Sequence, residues 1–255
     1  MGVAYALGSL AFAGLNDFFF KLYIGPSGRR LGPFVAVTGL VWAGFYLVTM
    51  RFQWLLDATG WGLSLAAGLA SLIGNLLLVE SMRHLPVGVC ATVYRLNLAL
   101  VMVLAFWLLS EPVTPLKLLG LVFAIAAVLL LYQPNGTGKE DGKRKIAYGL
   151  LAAATCCRAA MGLIYKVAEE VPQADFLCVS GLCWLFGGLL YTFVRREPLL
   201  PERSAVGFGA LSGMAIVGLV YFLSQATRFG EASIVVPVSQ LSFVMTVFLG
   251  WLFLK

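Results

Sequence analysis

The feature that most constrains this chain is the recurrence of apolar blocks separated by short clusters of Pro, Gly and charge. Each block is about 20 residues long, the length at which a helix crosses a hydrocarbon core about 30 Å thick. Nine can be marked, over residues 2–24, 31–50, 60–81, 86–109, 113–132, 146–166, 176–194, 205–226 and 232–254. Hydrophobic residues make up 60% of the chain and charged residues 12%, too greasy and too sparsely charged for a soluble domain. Continuous apolar runs do not alternate as barrel strands do, and a helix satisfies its own backbone in lipid. The reading is therefore an all-α, multi-pass membrane protein. The first block has no basic start and carries Asp17, which argues for a span rather than a cleaved signal.

The one hydrophilic linker lies near the middle, within "QPNGTGKEDGKRK". Its "NGT" and "GTGK" are chance matches in a solvated segment, because the spacing of a phosphate loop is absent. Sliding the chain by 145 residues lays Lys21 on Lys166, Arg51 on Arg196, Arg83 on Arg228, Gly68 on Gly213 and Leu96 on Leu241. Three basic matches without a gap indicate a repeat: a first unit over 1–133, a linker over 134–145 and a second unit over 146–255. Five spans in the first unit make the second enter the membrane from the opposite side, which gives an inverted repeat with a site expected between the halves near the midplane. The first unit closes with the acidic turn "SEPVTP" and a fifth helix; the second stops after its fourth, so a ten-helix bundle lacking its tenth helix is expected.

Ionisable groups inside spans are expensive and mark sites or structural pairs. Arg95 lies nine positions after Pro86, about 13 Å into its span, with Tyr94 and Asn97 beside it. Arg158 is equally deep. The acids within spans are Asp17 and Glu80. Two readings stand open. Asp17, Glu80, Arg95 and Arg158 form a structural network, with Asp17 and Lys21 paired on one helix face. Alternatively they line a cationic cavity in which an arginine meets an anionic group of a cargo and Asp17 binds the cargo or carries a proton. Asn16 adds an amide near Asp17. In the repeat frame Gln225, Ser239 and Gln240 stand opposite Glu80, Tyr94 and Arg95, so the two charges of one half become neutral hydrogen-bonding groups in the other. Pro237 frees a carbonyl in the ninth block. Gly209 and Gly213 read as a close helix contact. The five cysteines, Cys90, Cys156, Cys157, Cys178 and Cys183, all lie in apolar blocks and read as buried thiols. His84 is the single histidine. No metal site, cofactor or catalytic constellation is expected, and the net charge of +6 is a loop bias that gives no reason to propose nucleic acid.

The fourth block and junction, "LPVGVCATVYRLNLALVMVLAFWLLSEPVTPLKLLG", and the partner segment "FGEASIVVPVSQLSFVMTVFLGWLFLK" resemble the EamA family of the drug/metabolite transporter superfamily. Thr92 departs from the proline expected opposite Pro237. The resemblance implies a ten-helix carrier for a metabolite, often an exporter, in the cell membrane. A secondary carrier of a small polar or anionic metabolite by alternating access is thus expected, without enzymatic activity. The alternative is a non-transporting membrane scaffold or binding protein. Lys and Arg concentrate in the loops after odd-numbered blocks, which favours an outside N-terminus, whereas the resemblance implies an inside one. Neither cargo nor oligomeric state follows from these residues.

Overall fold

The computed structural model describes residues 1–24, 29–85, 87–131, 142–198, 200–242, 245 and 252. The linker's first part and most of the ninth block beyond Ser242 lie outside the described residues, as do Pro86 and the side chain of Thr92. The described chain is helical in ten segments: α1 (Gly2–Ile24), α2 (Leu31–Thr49), α3 (Ala58–Met82), α4 (Val87–Tyr94), α5 (Asn97–Leu108), α6 (Pro115–Leu131), α7 (Gly142–Val167), α8 (Gln173–Val194), α9 (Arg203–Phe229) and α10 (Ala232–Gln240). Six of these, α1, α2, α3, α7, α8 and α9, are long and apolar enough to cross a membrane. Several boundaries differ from the hydropathy blocks by a few residues, and two of the shifts bear on local chemistry. Helix α3 starts at Ala58 because the Asp57 carboxylate accepts from the Gly60 amide at 2.7 Å, an N-cap that apolarity cannot show. Helix α7 starts at Gly142, so the basic end of the linker is its first turn.

The largest departure is in the fourth block, which is two helices. Arg95 and Leu96 form a turn between α4 and α5, where the Leu96 and Leu98 amides bond three residues back, to Val93 and Arg95. Helix α10 likewise ends at Gln240, followed by a turn at Leu241. Leu96 and Leu241 are repeat counterparts, so both units break the same span at the same register.

The packing repeats as well. Helix α1 runs along α9 as α7 runs along α3, and α2 touches α9 as α8 touches α3. The pair α2 with α8 maps onto itself, and α10 is the counterpart of α4. This is an inverted repeat, two units related by a half-turn about an axis across the spans. Small residues let α2 and α8 meet on that axis. A Cβ on Gly181 would lie 2.7 Å from the Ala43 nitrogen, and one on Gly188 2.4 Å from the Ala36 nitrogen. Ala36 and Gly181 are counterparts, as are Ala43 and Gly188, so this is one contact seen twice. Between them Gly39 meets its own counterpart, Trp184, with the Leu185 nitrogen 2.2 Å from where a Cβ would stand. Gly209 and Gly213 press α9 against the Phe34 and Thr38 carbonyls of α2, the close contact that their spacing implied. Even the turns agree. Arg51 and Arg196, both at φ 53°, close α2 and α8 with the same six-residue hydrogen bond, Phe52 to Leu47 and Glu197 to Thr192.

Helices α1, α3 and α8 end at one face of the bundle, here called upper; α2, α5, α7 and α9 end at the lower one. At the lower face the "SEPVTP" turn holds the second unit. The Glu111 carboxylate accepts from the Ala232 and Ser233 amides at 2.7 and 3.0 Å and from the Ser233 hydroxyl, capping α10. Lys117 donates to the Pro112 carbonyl and pairs with Glu231 and, at 3.9 Å, with Glu111. The cysteines divide: Cys90, Cys178 and Cys183 are buried, Cys157 is half-buried and Cys156 is exposed, because the last sits on the outward face of α7.

Two stability outcomes follow. Gly39→Ala should lower the thermal midpoint of the purified protein, since overpacking costs about 1–3 kcal/mol. Gly44→Ala, with nothing within 4 Å of the new methyl, should leave the midpoint unchanged or raise it. Glu111→Ala strips two buried amides of their acceptor and should cost about 1–3 kcal/mol for each; Glu111→Gln, which retains an acceptor oxygen, should cost less in the same melting experiment.

Candidate substrate site

Arg95 and Gln240 are counterparts, and they touch: Arg95 Nη1 donates to the Gln240 carbonyl at 2.6 Å. Residues that contact their own counterparts lie on the half-turn axis, which places this contact at mid-depth, level with Gly39 and Trp184. The reason for the bond is local. Pro237 removes one amide from α10, the helix ends at Gln240, and a carbonyl at a helix end inside lipid needs a donor. Arg95 supplies that donor together with a positive charge, which the negative end of the helix dipole favours.

Arg158, on α7, reaches the same residue from the other side. Its Nε and Nη2 both donate to Gln240 Oε1 at 3.3 Å, and Nη1 lies 3.8 Å from the Met161 sulfur. Gln240 thus receives Arg95 on its backbone oxygen and Arg158 on its side-chain oxygen. Among the described residues no carboxylate pairs with Arg158. Asp17 stands close enough to interact with both Arg95 and Tyr94, and Tyr94 with both arginines. Ser242 Oγ donates to Asp17 Oδ2 at 3.3 Å. Ser239, also buried, bonds back to the Val236 carbonyl at 2.8 Å.

Asn97 opens α5 fully buried, and neither polar atom of its amide has a partner. The repeat explains it. Its counterpart Ser242 bonds Asp17, and the counterpart of Asp17 is Gly162, which has no side chain to offer. One half has a polar pair where the other has a lone amide.

Three candidates lie elsewhere, and the four-residue network does not form. Glu80 is at the upper face, bonded to Arg195 at 2.6 Å and Arg83 at 3.2 Å, because it sits in the last turn of α3, beyond reach of mid-depth. Gln225 is its lower-face counterpart, donating to Gln173 at 2.6 Å. Asn16 faces α9, where its oxygen accepts from Ser212 at 2.6 Å, a helix-packing bond. Lys21 is exposed at the end of α1, while Asp17 turns toward Ser242. The sequence reading passed over Ser242 as a site residue although the 145-residue frame sets it opposite Asn97. It also gave Met161 no role, since a thioether carries no charge signal. A separate shallow apolar hollow, lined by Phe20, Val35, Leu72, Leu76, Val79 and Trp184, lies in the upper half, away from the arginines.

Broken spans that meet at the midplane of an inverted repeat, with polar side chains converging there, recur in membrane transporters. Comparison with known proteins agrees. The model of the EamA-like transporter family matches residues 1–133 and again 145–255, and the chain belongs to that family. A solved structure, titled only as the crystal structure of a protein, superposes with a TM-score of 0.79 over 98% of this chain and 87% of that one, at 14% identity; that likeness speaks to the fold. No curated protein gave a match.

Arg95→Met should lower the melting temperature by leaving the Gln240 carbonyl unsatisfied, a loss of about 1–3 kcal/mol, and Arg95→Lys should recover most of it. Gln240→Ala keeps the carbonyl for Arg95 but removes the side-chain acceptor of Arg158, and should also lower the melting temperature.

Proposed function

We propose that this protein carries a small polar metabolite with an anionic group across the plasma membrane by alternating access, in the exporting direction that the family resemblance suggests. The observation that carries the reading is Arg158: a guanidinium at the depth of the half-turn axis, held by an amide oxygen and a thioether. A buried arginine normally has a carboxylate or phosphate for its planar fork, and here the cargo supplies it. Arg158 binds the anionic group, Tyr94, Asn97 and Gln240 contact the polar remainder, and Ser239 shapes the backbone around Pro237. Arg95 keeps a mainly structural task at the helix end. Asp17, the one acid beside Arg95 among the described residues, is the group suited to exchange a proton with the transport cycle. The units are taken as 1–133 and 146–255, joined by 134–145; the family model fits 1–133 and 145–255.

The test is counterflow into sealed proteoliposomes with a radiolabelled panel of small carboxylates, phosphate esters, zwitterions and neutral polar solutes. Flux above that of empty vesicles is expected for at least one anion, and Arg158→Gln should abolish it with an unchanged melting temperature. Movement of neutral solutes alone would remove the anion requirement. A panel that moves no faster than through empty vesicles would favour a membrane scaffold instead.

A further inference from the structure

The two halves share a backbone plan, so a place where equivalent helices pack differently bears on the state in which the molecule rests. At the lower face α7 closes on α9. Lys166 Nζ donates to the Thr227 carbonyl at 3.0 Å, Thr227 Oγ1 donates to the Tyr165 carbonyl at 3.3 Å, and Lys166 also pairs with Glu169 at 2.5 Å. Tyr165 is 3% exposed and its ring meets Phe176 edge-on at 5.0 Å; Thr227 is fully buried. The counterparts of Tyr165, Lys166 and Thr227 are Phe20, Lys21 and Met82, at the upper ends of α1 and α3. There the same place is the apolar hollow: Phe20 lines it, Met82 is half-buried and Lys21 is exposed. Helix α7 packs against α9, and α1 makes no comparable contact with α3 among the described residues.

We infer that Tyr165, Lys166 and Thr227 form the lower gate of the carrier, its lysine-to-carbonyl bond made, and that Phe20, Lys21 and Met82 are the upper gate, with Lys21 exposed instead of bonded to α3. Passage to the other state exchanges the two arrangements. Lys21 then donates to the Met82 carbonyl, Phe20 turns inward as Tyr165 does now, and the Lys166 to Thr227 bond breaks. The inversion makes this exchange nearly isoenergetic in backbone terms, since each half adopts a conformation that the other half already holds. The inference rests on the carrier reading above and adds which residues open and which close.

The experiment uses the full chain in liposomes with Cys90, Cys156, Cys157, Cys178 and Cys183 replaced by serine or alanine. One variant carries Phe20→Cys with Met82→Cys, a second Tyr165→Cys with Thr227→Cys, and a third all four. Oxidation should form either disulfide, and the third variant should form one or the other but not both in the same molecule. A lower pair that links in every molecule while the upper pair never links overturns the inference, and so does simultaneous linkage. A second reading keeps the native cysteines. Met82→Glu draws Lys21 to α3 and should raise amine-reagent labelling of Lys166 several-fold while lowering that of Lys21; unchanged Lys166 labelling overturns the inference. Failure of the gates is distinguishable from failure of the carrier reading, because counterflow without alternating disulfides rejects the gates alone, and alternating disulfides without counterflow reject carriage alone.

Discussion

The structure depends on one constraint, that a carbonyl exposed by a broken helix cannot be left unbonded in hydrocarbon. Both units break their fourth span at the same register, and the breaks meet where the half-turn axis passes. Arg95 resolves the resulting deficit by donating to the Gln240 carbonyl. Once that bond is made, α5 and α10 are fixed side by side at mid-depth, and the Gln240 side chain is presented to Arg158. The Glu111 cap fixes the other end of α10. A nine-residue half-helix held at both ends by residues of the first unit can carry a site despite the proline inside it.

The inverted repeat gives the two halves one backbone and leaves the side chains free to diverge. Where contact is obligatory they have stayed alike: Ala and Gly on the α2 and α8 faces, and left-handed arginines at the ends of those helices. Where the bundle is polar they have separated. Arg95 faces Gln240, Asp17 corresponds to Gly162, and Glu80 corresponds to Gln225. Strict symmetry would put two arginines against each other on the axis, with their like charges in contact. A glutamine at 240 removes that repulsion and offers its side-chain oxygen to Arg158, while Arg95 bonds the backbone carbonyl, and the site becomes asymmetric as a result.

Helical class and the repeat were legible in the sequence because lipid imposes the first on composition and length, and because three basic residues matched at one spacing. The depth of Arg95 and Arg158 was legible for the same reason. The break at Arg95 was not: "VYRLNLAL" has no proline or glycine, and its turn is stabilised by contacts with α10 rather than by local propensity. The four-charge network failed at Glu80 because hydropathy cannot separate a last-turn residue, which reaches the face, from one a few positions deeper. Asn16 and Asp17 are neighbours in sequence, yet one packs on α9 and the other turns to Ser242, a division set by the helical step of about 100° between adjacent residues. Asn97 stood out only as polar; that it has no partner required knowing that Gly162 lies where an acid would be.

The positive excess at mid-depth follows from where the acids are used. Asp57 caps α3, Glu111 caps α10, Glu197 accepts from the Gly32 amide at the start of α2, and Asp175 accepts from the Leu55 amide. Each is committed to backbone donors near a face, where helix N-termini favour negative charge. Among the described residues Asp17 alone is an acid beside Arg95. Two guanidiniums in a low dielectric with one carboxylate are costly unless partial negative charge is nearby, and the broken spans provide it. The ends of α4 and α10 aim their last carbonyls at mid-depth, where the Gln240 carbonyl already receives Arg95. The break and the arginines therefore require each other. Without the break the charges would lack acceptors, and without the charges the freed carbonyls would lack donors.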